Sequence, residues 1–181
     1  PNDFVQAHIP NSIFIGIDGQ FAPWVGTVIE DINQKIIIVA PEGREEETVL
    51  RLSRVGYDNC VGYLKGGLEA WINAGELTDS IQSISAEDFS KLKVNDLNVV
   101  DVRKPGEFEN GHLKTATNKP LDFISKWSLN FETPTPTYLH CAGGYRSVIA
   151  ASILRKKGVK NLIDISGGYS AIQKTNLEVV K

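Results

Sequence analysis

The feature that most constrains the fold of this chain is an internal repeat with a spacing of about 100 residues. Three segments recur in the same order, pairing residues 7–10 with 111–113, 54–59 with 156–161, and 65–71 with 166–172. A shared order at a nearly constant offset predicts a duplicated domain. We place the two domains at residues 1–77 and 83–181, with a polar linker around residues 76–83.

Each half alternates short apolar runs with amphipathic segments. The runs predict strands over residues 13–17, 35–40, 61–64, 97–102, 137–140 and 161–165. The amphipathic segments predict helices over residues 45–55, 85–92, 104–109, 121–129, 147–157 and 168–174. This alternation predicts an α/β fold in which each half has a central, mostly parallel sheet flanked by helices on both faces.

The overall composition excludes several classes of function. A net charge of −3 gives no electrostatic reason to bind nucleic acid or an anionic membrane. No apolar run approaches the roughly 18–20 residues of a membrane span, and no signal sequence opens the chain. Two cysteines in unlike settings predict no disulfide framework, which fits a reducing cytoplasm. We therefore predict a cytoplasmic protein with no metal, no other cofactor and no membrane partner.

Cys141 opens a glycine-rich segment, CAGGYRS, between a predicted strand and a predicted helix. The glycines let the backbone curl, so the N–H groups of residues 142–147 can converge, and the helix N-terminus adds positive potential. Arg146 adds a permanent cation with a planar donor fork. Such a setting should stabilise a thiolate. We predict Cys141 and Arg146 as catalytic residues, in an anion-binding loop with Ala142, Gly143, Gly144, Tyr145 and Ser147.

The other cysteine, Cys60, has neither an arginine nor a helix start beside it, and we predict that it packs in the core. Aligning Arg44 with Arg146 puts Val39 opposite Cys141, to within about one position. That loop has no nucleophile, and its four glutamates would repel an anionic donor. We predict that the first half is catalytically inactive and serves as a scaffold, with a partner-docking surface as the alternative.

The second half resembles the rhodanese family of sulfurtransferases. The resemblance rests on VDVR at 100–103, EFENGHL at 107–113, the Cys-x4-Arg loop and the Gly-Gly-Tyr turn at 167–169. It covers nearly the whole chain as two tandem domains, although the first half lacks the Asp-x-Arg strand and the cysteine. The resemblance implies that a Cys141 persulfide carries sulfur from a donor such as thiosulfate to a thiol or cyanide. Asp101 and Arg103 would form the family's supporting ion pair.

Several alternatives remain open at this stage. The same chemistry suits a cysteine-dependent phosphatase or arsenate reductase, but relatives with phosphatase activity have one more loop residue, Cys-x5-Arg. A non-catalytic binding or regulatory module is a further possibility. Arg146 either steers an anionic donor or pairs with a carboxylate, and we expect His112 and His140 to be structural. Residues 18–26 resemble a stretch of proteins in which rhodanese domains follow a metallo-β-lactamase-like domain, which predicts such a domain in the full-length protein.

Overall fold

The computed structural model describes residues 1–131, 133 and 135–181, which form two compact units. Residues 1–7, 11–14 and 80–181 make up one of them, which we call the Cys141 unit. Residues 8–10 and 15–79 make up the other, which we call the Ala40 unit. Short helices and strands alternate in both, so the predicted α/β class is confirmed.

The elements are numbered in chain order. The first are α1 (Asn2–Gln6), α2 (Phe21–Val28), β1 (Ile36–Ile38), α3 (Glu45–Ser53), β2 (Cys60–Tyr63) and α4 (Gly67–Asn73). The next are β3 (Gln82–Ser85), α5 (Ala86–Ser90), β4 (Asn98–Asp101), α6 (Pro105–Glu109), β5 (His112–Leu113) and β6 (Ala116–Asn118). The last are α7 (Ile124–Trp127), β7 (Thr137–His140), α8 (Arg146–Lys156), β8 (Leu162–Ser166), α9 (Gly168–Ile172) and β9 (Val179–Val180).

The Cys141 unit is built on a sheet of five parallel strands in the order β3–β8–β7–β4–β6. A strand buried on both faces needs apolar residues on both, and Val99 and Val100 of β4 are each 1% exposed. Asp101 pairs with His140 in register, so the carboxyl ends of β4 and β7 lie side by side. Ligands of parallel sheets bind at this edge, and Cys141 follows β7 directly.

Helices cover both faces of this sheet. On one face, Tyr138 and Ile165 pack with Phe89 of α5 in the main core cluster. Neighbouring residues of a strand point to opposite faces, so Asp164 points away from that cluster. Its neighbour is Ser147 of α8, which places α8 on the other face. Eight consecutive residues of α8 are buried, which explains why its sequence is apolar nearly all round.

The Ala40 unit repeats the centre of this arrangement on a smaller scale. Its strands β1 and β2 pair in parallel, as β7 and β8 do. Phe21 and Val25 of α2, Ile38 of β1 and Leu52 of α3 form its core. The described residues of this unit contain no counterparts of β3, β4 or β6, so both strands are edge strands and Ile37 is 71% exposed.

Two of the predicted elements differ from the structure. The strand predicted over residues 13–17 is wrong, because residues 12–16 have no regular secondary structure. The matching segment of the second half is β6, which pairs with β4, and the described part of the Ala40 unit offers no such partner. The helix predicted over residues 121–129 divides into the 3₁₀ turn Leu121–Phe123, α7 and the 3₁₀ turn Ser128–Asn130.

Residues 1–7 and 11–14, which we call the N-terminal strap, pack within the Cys141 unit. The Ile81 N–H donates to the Val5 carbonyl at 2.9 Å. The Phe14 N–H donates to the Ser152 hydroxyl of α8 at 3.1 Å. The rings of Phe4 and Phe14 lie 5.3 Å apart. The strap therefore holds α8 by a hydrogen bond from an irregular segment rather than by strand pairing.

Candidate active site

Cys141 begins the loop that connects β7 to α8, and it is 1% exposed. The Gly144 N–H donates a hydrogen bond to the Cys141 Sγ at 3.1 Å. Gly144 has φ of +97°, a conformation open to glycine and strained for other residues. This amide is one of those that the sequence predicted around the sulfur. A backbone N–H that donates to the sulfur stabilises a thiolate more than it stabilises a neutral thiol.

A second contact fixes the backbone of the loop from the other side. The Tyr169 N–H donates to the Cys141 carbonyl at 2.7 Å, and the Ser170 N–H donates to the Ala142 carbonyl at 2.9 Å. Gly168 has φ of +56°, and a Cβ there would overlap the Cys141 carbonyl oxygen. The close approach of the Gly-Gly-Tyr turn therefore requires glycine and anchors the loop to α9.

Arg146 forms a two-point ion pair with Glu107 of α6. Its Nη1 lies 2.5 Å from Oε2 and its Nη2 lies 2.8 Å from Oε1. This hydrogen-bonded guanidinium lowers the pKa of Glu107, and the Lys104 N–H donates to the same carboxylate at 3.2 Å. Of the two roles left open for Arg146, the structure shows carboxylate pairing. Sequence reasoning missed Glu107, because an acid in the first turn after Pro105 indicates a helix start and does not identify a partner 39 residues away.

Asp101 and Arg103 form a buried ion pair with 2.7 Å between Oδ2 and Nη2. The Arg103 Nη2 also donates to the Gly111 carbonyl at 2.8 Å, and the guanidinium lies 3.9 Å from the ring centroid of Tyr169. Tyr169 is the residue whose amide holds the Cys141 carbonyl. The pair therefore supports the loop through α9.

The two histidines near the loop have structural contacts. His140 is completely buried, its Nδ1 lies 3.3 Å from the Cys141 carbonyl oxygen, and desolvation lowers its pKa although Asp101 opposes this. The ring is therefore neutral near pH 7. His112 stacks on Phe108 with 3.6 Å between ring centroids, and its Nδ1 lies 2.9 Å from the Phe108 carbonyl oxygen.

Asp164 is a buried acid that sequence reasoning did not single out. It is 4% exposed in β8, and its Oδ1 has no hydrogen-bond partner among the residues that the structure describes. Burial raises its pKa to about 6, and the nearby hydroxyl of Ser147 partly offsets this. Ser147 lies in the first turn of α8, directly after Arg146. An acid inside the apolar run 162–165 was the available signal.

The matched loop of the Ala40 unit identifies the residue that replaces the thiol. Gly67 has φ of +56°, as Gly168 does, and a Cβ there would lie 2.9 Å from the Ala40 carbonyl oxygen. Gly168 has the same relation to Cys141, so the counterpart of Cys141 is Ala40. The alignment of Arg44 with Arg146 put Val39 at this place to within about one position, and Ala40 lies inside that range.

The two loops differ in the residue that follows their matched glycines. Gly43 and Gly144 match, since both have positive φ and both stand three residues after the counterpart positions. Arg44 follows Gly43 directly, whereas Tyr145 separates Gly144 from Arg146. Arg44 is the N-cap of α3 and Tyr145 is the N-cap of α8, so Arg44 stands in the Ala40 loop where the Cys141 loop has Tyr145.

The arginine of the Ala40 loop is bound by carboxylates of its own unit. Its Nη1 lies 2.7 Å from Asp18 and its Nη2 lies 2.9 Å from Glu47. Arg44 is thus paired at a loop that has no thiol. Cys60 of β2 is partly buried against the core of the Ala40 unit, as the sequence predicted.

Metal ligands and membrane-spanning helices are absent from the described part of the chain. Across residues 1–131, 133 and 135–181, no group of three or more histidine, cysteine, aspartate or glutamate side chains is placed to hold a metal ion. None of the described helices combines the length and the hydropathy that crossing a bilayer requires.

Comparison with known proteins identifies similar sequences. The chain is 34% identical over 89 residues to the uncharacterized protein YqhL of Bacillus subtilis (strain 168), covering 49% of this chain and 70% of YqhL. It is 33% identical over 106 residues to the putative sulfur carrier protein YrkF of the same organism, covering 58% of this chain and about half (55%) of YrkF. It is 30% identical over 92 residues to the thiosulfate sulfurtransferase GlpE of Pseudomonas entomophila (strain L48), covering 51% of this chain and 84% of GlpE.

The family model described as "Rhodanese-like domain" matches the chain twice, over residues 1–74 and 85–175. The two matches together cover most of the chain and include both loops. On this evidence, and on the fold and loop geometry above, the chain belongs to the family of proteins with rhodanese-like domains.

Proposed function

We propose that this chain is a sulfurtransferase that moves a sulfane sulfur through a persulfide on Cys141. The observation that carries the proposal is the Gly144 amide, which donates to the Cys141 Sγ at 3.1 Å in a loop anchored by α9. The loop holds the sulfur where negative charge is stabilised both on the attacking thiolate and on the persulfide that replaces it.

The proposed reaction has two steps. In the first, the Cys141 thiolate attacks the outer sulfur of a donor such as thiosulfate. A new S–S bond forms, the S–S bond of the donor breaks, and sulfite leaves with the bonding electrons. In the second, a thiolate or cyanide attacks the terminal sulfur of the persulfide. The bond to Cys141 breaks, its thiolate is restored, and the acceptor carries the sulfur away.

Three further observations support sulfur transfer over ester chemistry. The loop spans six residues from Cys141 to Arg146, one fewer than the Cys-x5-Arg loop of phosphatases that resemble this family. Both terminal nitrogens of the Arg146 guanidinium donate to the Glu107 carboxylate. This cation is therefore already paired before an oxyanion binds. The similar protein GlpE is named a thiosulfate sulfurtransferase.

The test compares the natural chain with Cys141→Ser in thiosulfate:cyanide transfer and in persulfide formation. Removing a catalytic nucleophile should lower kcat by roughly 10³-fold or more. Mass spectrometry of the natural chain after exposure to thiosulfate should show the mass of one added sulfur atom on the peptide that contains Cys141. Cys60→Ser is the matched control, and it should keep full activity because Cys60 packs in the other unit.

Three results would contradict the proposal. The first is a natural chain with no transfer and no added sulfur, which would favour a binding or regulatory role. The second is hydrolysis of a small aryl phosphate that is lost in Cys141→Ser, which would favour the phosphatase. The third is unchanged transfer in Cys141→Ser.

Two parts of the proposal concern the cellular setting. The two cysteines of the chain are unpaired, which suits a thiol enzyme working in the reducing cytoplasm. A metallo-β-lactamase-like domain in the full-length protein stays a prediction from residues 18–26, and the sequence of the complete gene tests it.

A further inference from the structure

Tyr145, which stands in the Cys141 loop where the Ala40 loop has Arg44, is held by an aromatic contact. The ring of Tyr145 meets the ring of Phe14 edge to face, with centroids 5.5 Å apart and planes at 67°. Phe14 in turn lies against Phe4, with centroids 5.3 Å apart. Edge-to-face pairs at these separations are attractive, so the N-terminal strap provides a fixed seat for Tyr145.

Backbone hydrogen bonds fix the strap beside both Phe14 and Phe4. The Phe14 N–H donates to the Ser152 hydroxyl, which lies within the buried part of α8. Val5 is the next-to-last residue of α1, and its carbonyl accepts a hydrogen bond from the Ile81 N–H. The Phe14 ring is therefore placed relative to the same helix that Tyr145 caps at its N-terminus.

We propose that Phe14 is a positioning residue for the active loop, acting through Tyr145 on the Gly144 amide that bonds to the Cys141 sulfur. This inference rests on the proposed function of Cys141. It assigns to the first repeat a part in the chemistry of the second, which its lack of a cysteine does not suggest.

The backbone of the loop links Tyr145 directly to the donor of the sulfur. Tyr145 follows Gly144, so any rotation of the Tyr145 backbone redirects the peptide plane beside the amide that reaches Sγ. Gly143 and Gly144 offer little resistance to such rotation, because glycine has no Cβ. The Arg146–Glu107 pair fixes the far end of the loop. The Phe14 contact fixes Tyr145, which lies between the two glycines and Arg146.

The experiment measures Cys141 alkylation by iodoacetamide as a function of pH, using the full chain with Cys60→Ser as the background. In Phe14→Leu and Phe14→Ala, the pH midpoint of alkylation should rise, because the thiolate loses a well-aimed donor. The rate near pH 7 should fall roughly two- to tenfold, the range that one aromatic pair spans. For sulfur transfer, kcat should fall by a similar factor with little change in the KM for thiosulfate.

Phe123→Leu is the matched control, since Phe123 is an exposed phenylalanine of the same unit whose ring lies near Lys126. It should leave the midpoint unchanged. Tyr145→Leu should raise the midpoint as Phe14→Leu does, and the double variant should show no further rise if the two rings act as one unit. Thermal unfolding of every variant separates loss of fold from loss of positioning.

An unchanged midpoint in folded Phe14→Leu would overturn the inference, as would additive effects of Phe14→Leu and Tyr145→Leu. If Phe14→Ala does not fold, Phe14→Leu decides the matter. Alkylation reports on the thiolate whether or not sulfur is transferred. A chain without sulfurtransferase activity but with the shifted midpoint would therefore refute the proposed function and keep the positioning role.

Discussion

The loops at Cys141 and Ala40 share a backbone arrangement but differ in their side chains. Each comes just after a parallel strand, and each is approached by a glycine with φ of +56° whose absent Cβ makes room for the loop carbonyl. Only one has a thiol, and only one has a tyrosine between its glycine and its arginine. The comparison teaches that the two halves share the contacts that hold the loop and differ at the thiol, the one candidate nucleophile of the loop.

The arginines extend the same lesson. Arg146 is bound by one carboxylate from a neighbouring helix, whereas Arg44 is shared by Asp18 and Glu47. Both therefore stabilise their loops by ion pairing. An arginine at the end of such a loop is thus weak evidence for catalysis, and the cysteine is the residue that separates the two.

The largest expected effect comes from substituting the glycine that approaches the loop carbonyl in each unit. In Gly168→Ala, the new Cβ would overlap the Cys141 carbonyl and lie 2.9 Å from the Ala142 carbonyl oxygen, at a positive φ. We expect a loss of about 2–4 kcal/mol in the free energy of unfolding, with sulfur transfer reduced at least tenfold. Gly67→Ala, whose Cβ would meet the Ala40 carbonyl, should also destabilise the chain. Denaturant unfolding and initial rates of transfer measure both.

The distinguishing result is the activity of Gly67→Ala. Full transfer per folded molecule would support a purely structural Ala40 loop. A loss equal to that of Gly168→Ala would show that the two loops are not independent in function.

The next effect concerns a position where the two units differ in charge. Asp164 and Tyr63 occupy matching places in register, opposite Leu139 and Ile38 respectively. The pKa of Asp164 is about 6 in the folded chain against an ordinary value of 3.8. Because the folded value is the higher one, the proton's stabilising contribution is complete below pH 4 and is lost as pH rises through 6.

We therefore expect the difference in unfolding free energy between the natural chain and Asp164→Asn to change by about 2 kcal/mol from pH 4 to pH 8, in favour of the asparagine variant at high pH. Urea unfolding at each pH measures it. Tyr63→Asn is the matched control and should give a difference that is constant over this range. A constant difference for Asp164→Asn would mean that the buried carboxyl does not take up a proton on folding.

The smallest expected effect is that a new thiol in the Ala40 loop does not increase sulfur transfer. Ala40→Cys, made in the Cys141→Ser background, places a thiol in the Ala40 loop. We expect no transfer above that of Cys141→Ser alone, because Arg44 comes one residue earlier in its loop than Arg146 does and is bound to Asp18 and Glu47. Cyanide-dependent turnover and the mass of the peptide that carries the new thiol measure this. Restored transfer would show that the thiol alone separates the two loops.

The sequence predicted the strands well where apolar runs are short and buried. The run 137–140 and the strand β7 coincide, and all four of its residues are buried because the strand is covered on both faces. The segment 13–17 has the same apolar character and forms no strand. The described residues of the Ala40 unit offer it no partner strand, and pairing depends on a neighbour that local sequence does not encode.

The active loop was predictable in part. Glycines, a helix start and an arginine around Cys141 pointed to an anion-binding loop, and the Gly144 amide lies where that pattern predicts a donor. The partner of Arg146 was not predictable, since Glu107 stands 39 residues away and only the fold brings the two together. The Phe14 contact is more distant still along the chain, and no local pattern marks it.

Arg103 has a consequence for when the reactive loop exists at all. Its guanidinium is held by Asp101 and the Gly111 carbonyl, which are close to it in the chain, and is covered by the Tyr169 ring of α9, which is distant in the chain, so the enclosure is complete only when α9 has packed. A charge leaves water at high cost unless all its partners are present, so partly assembled states gain nothing from one or two of them. The end of the sheet that holds Cys141 should therefore assemble and open as a single cooperative step. A half-folded chain would not present an activated thiol to the cell's oxidants.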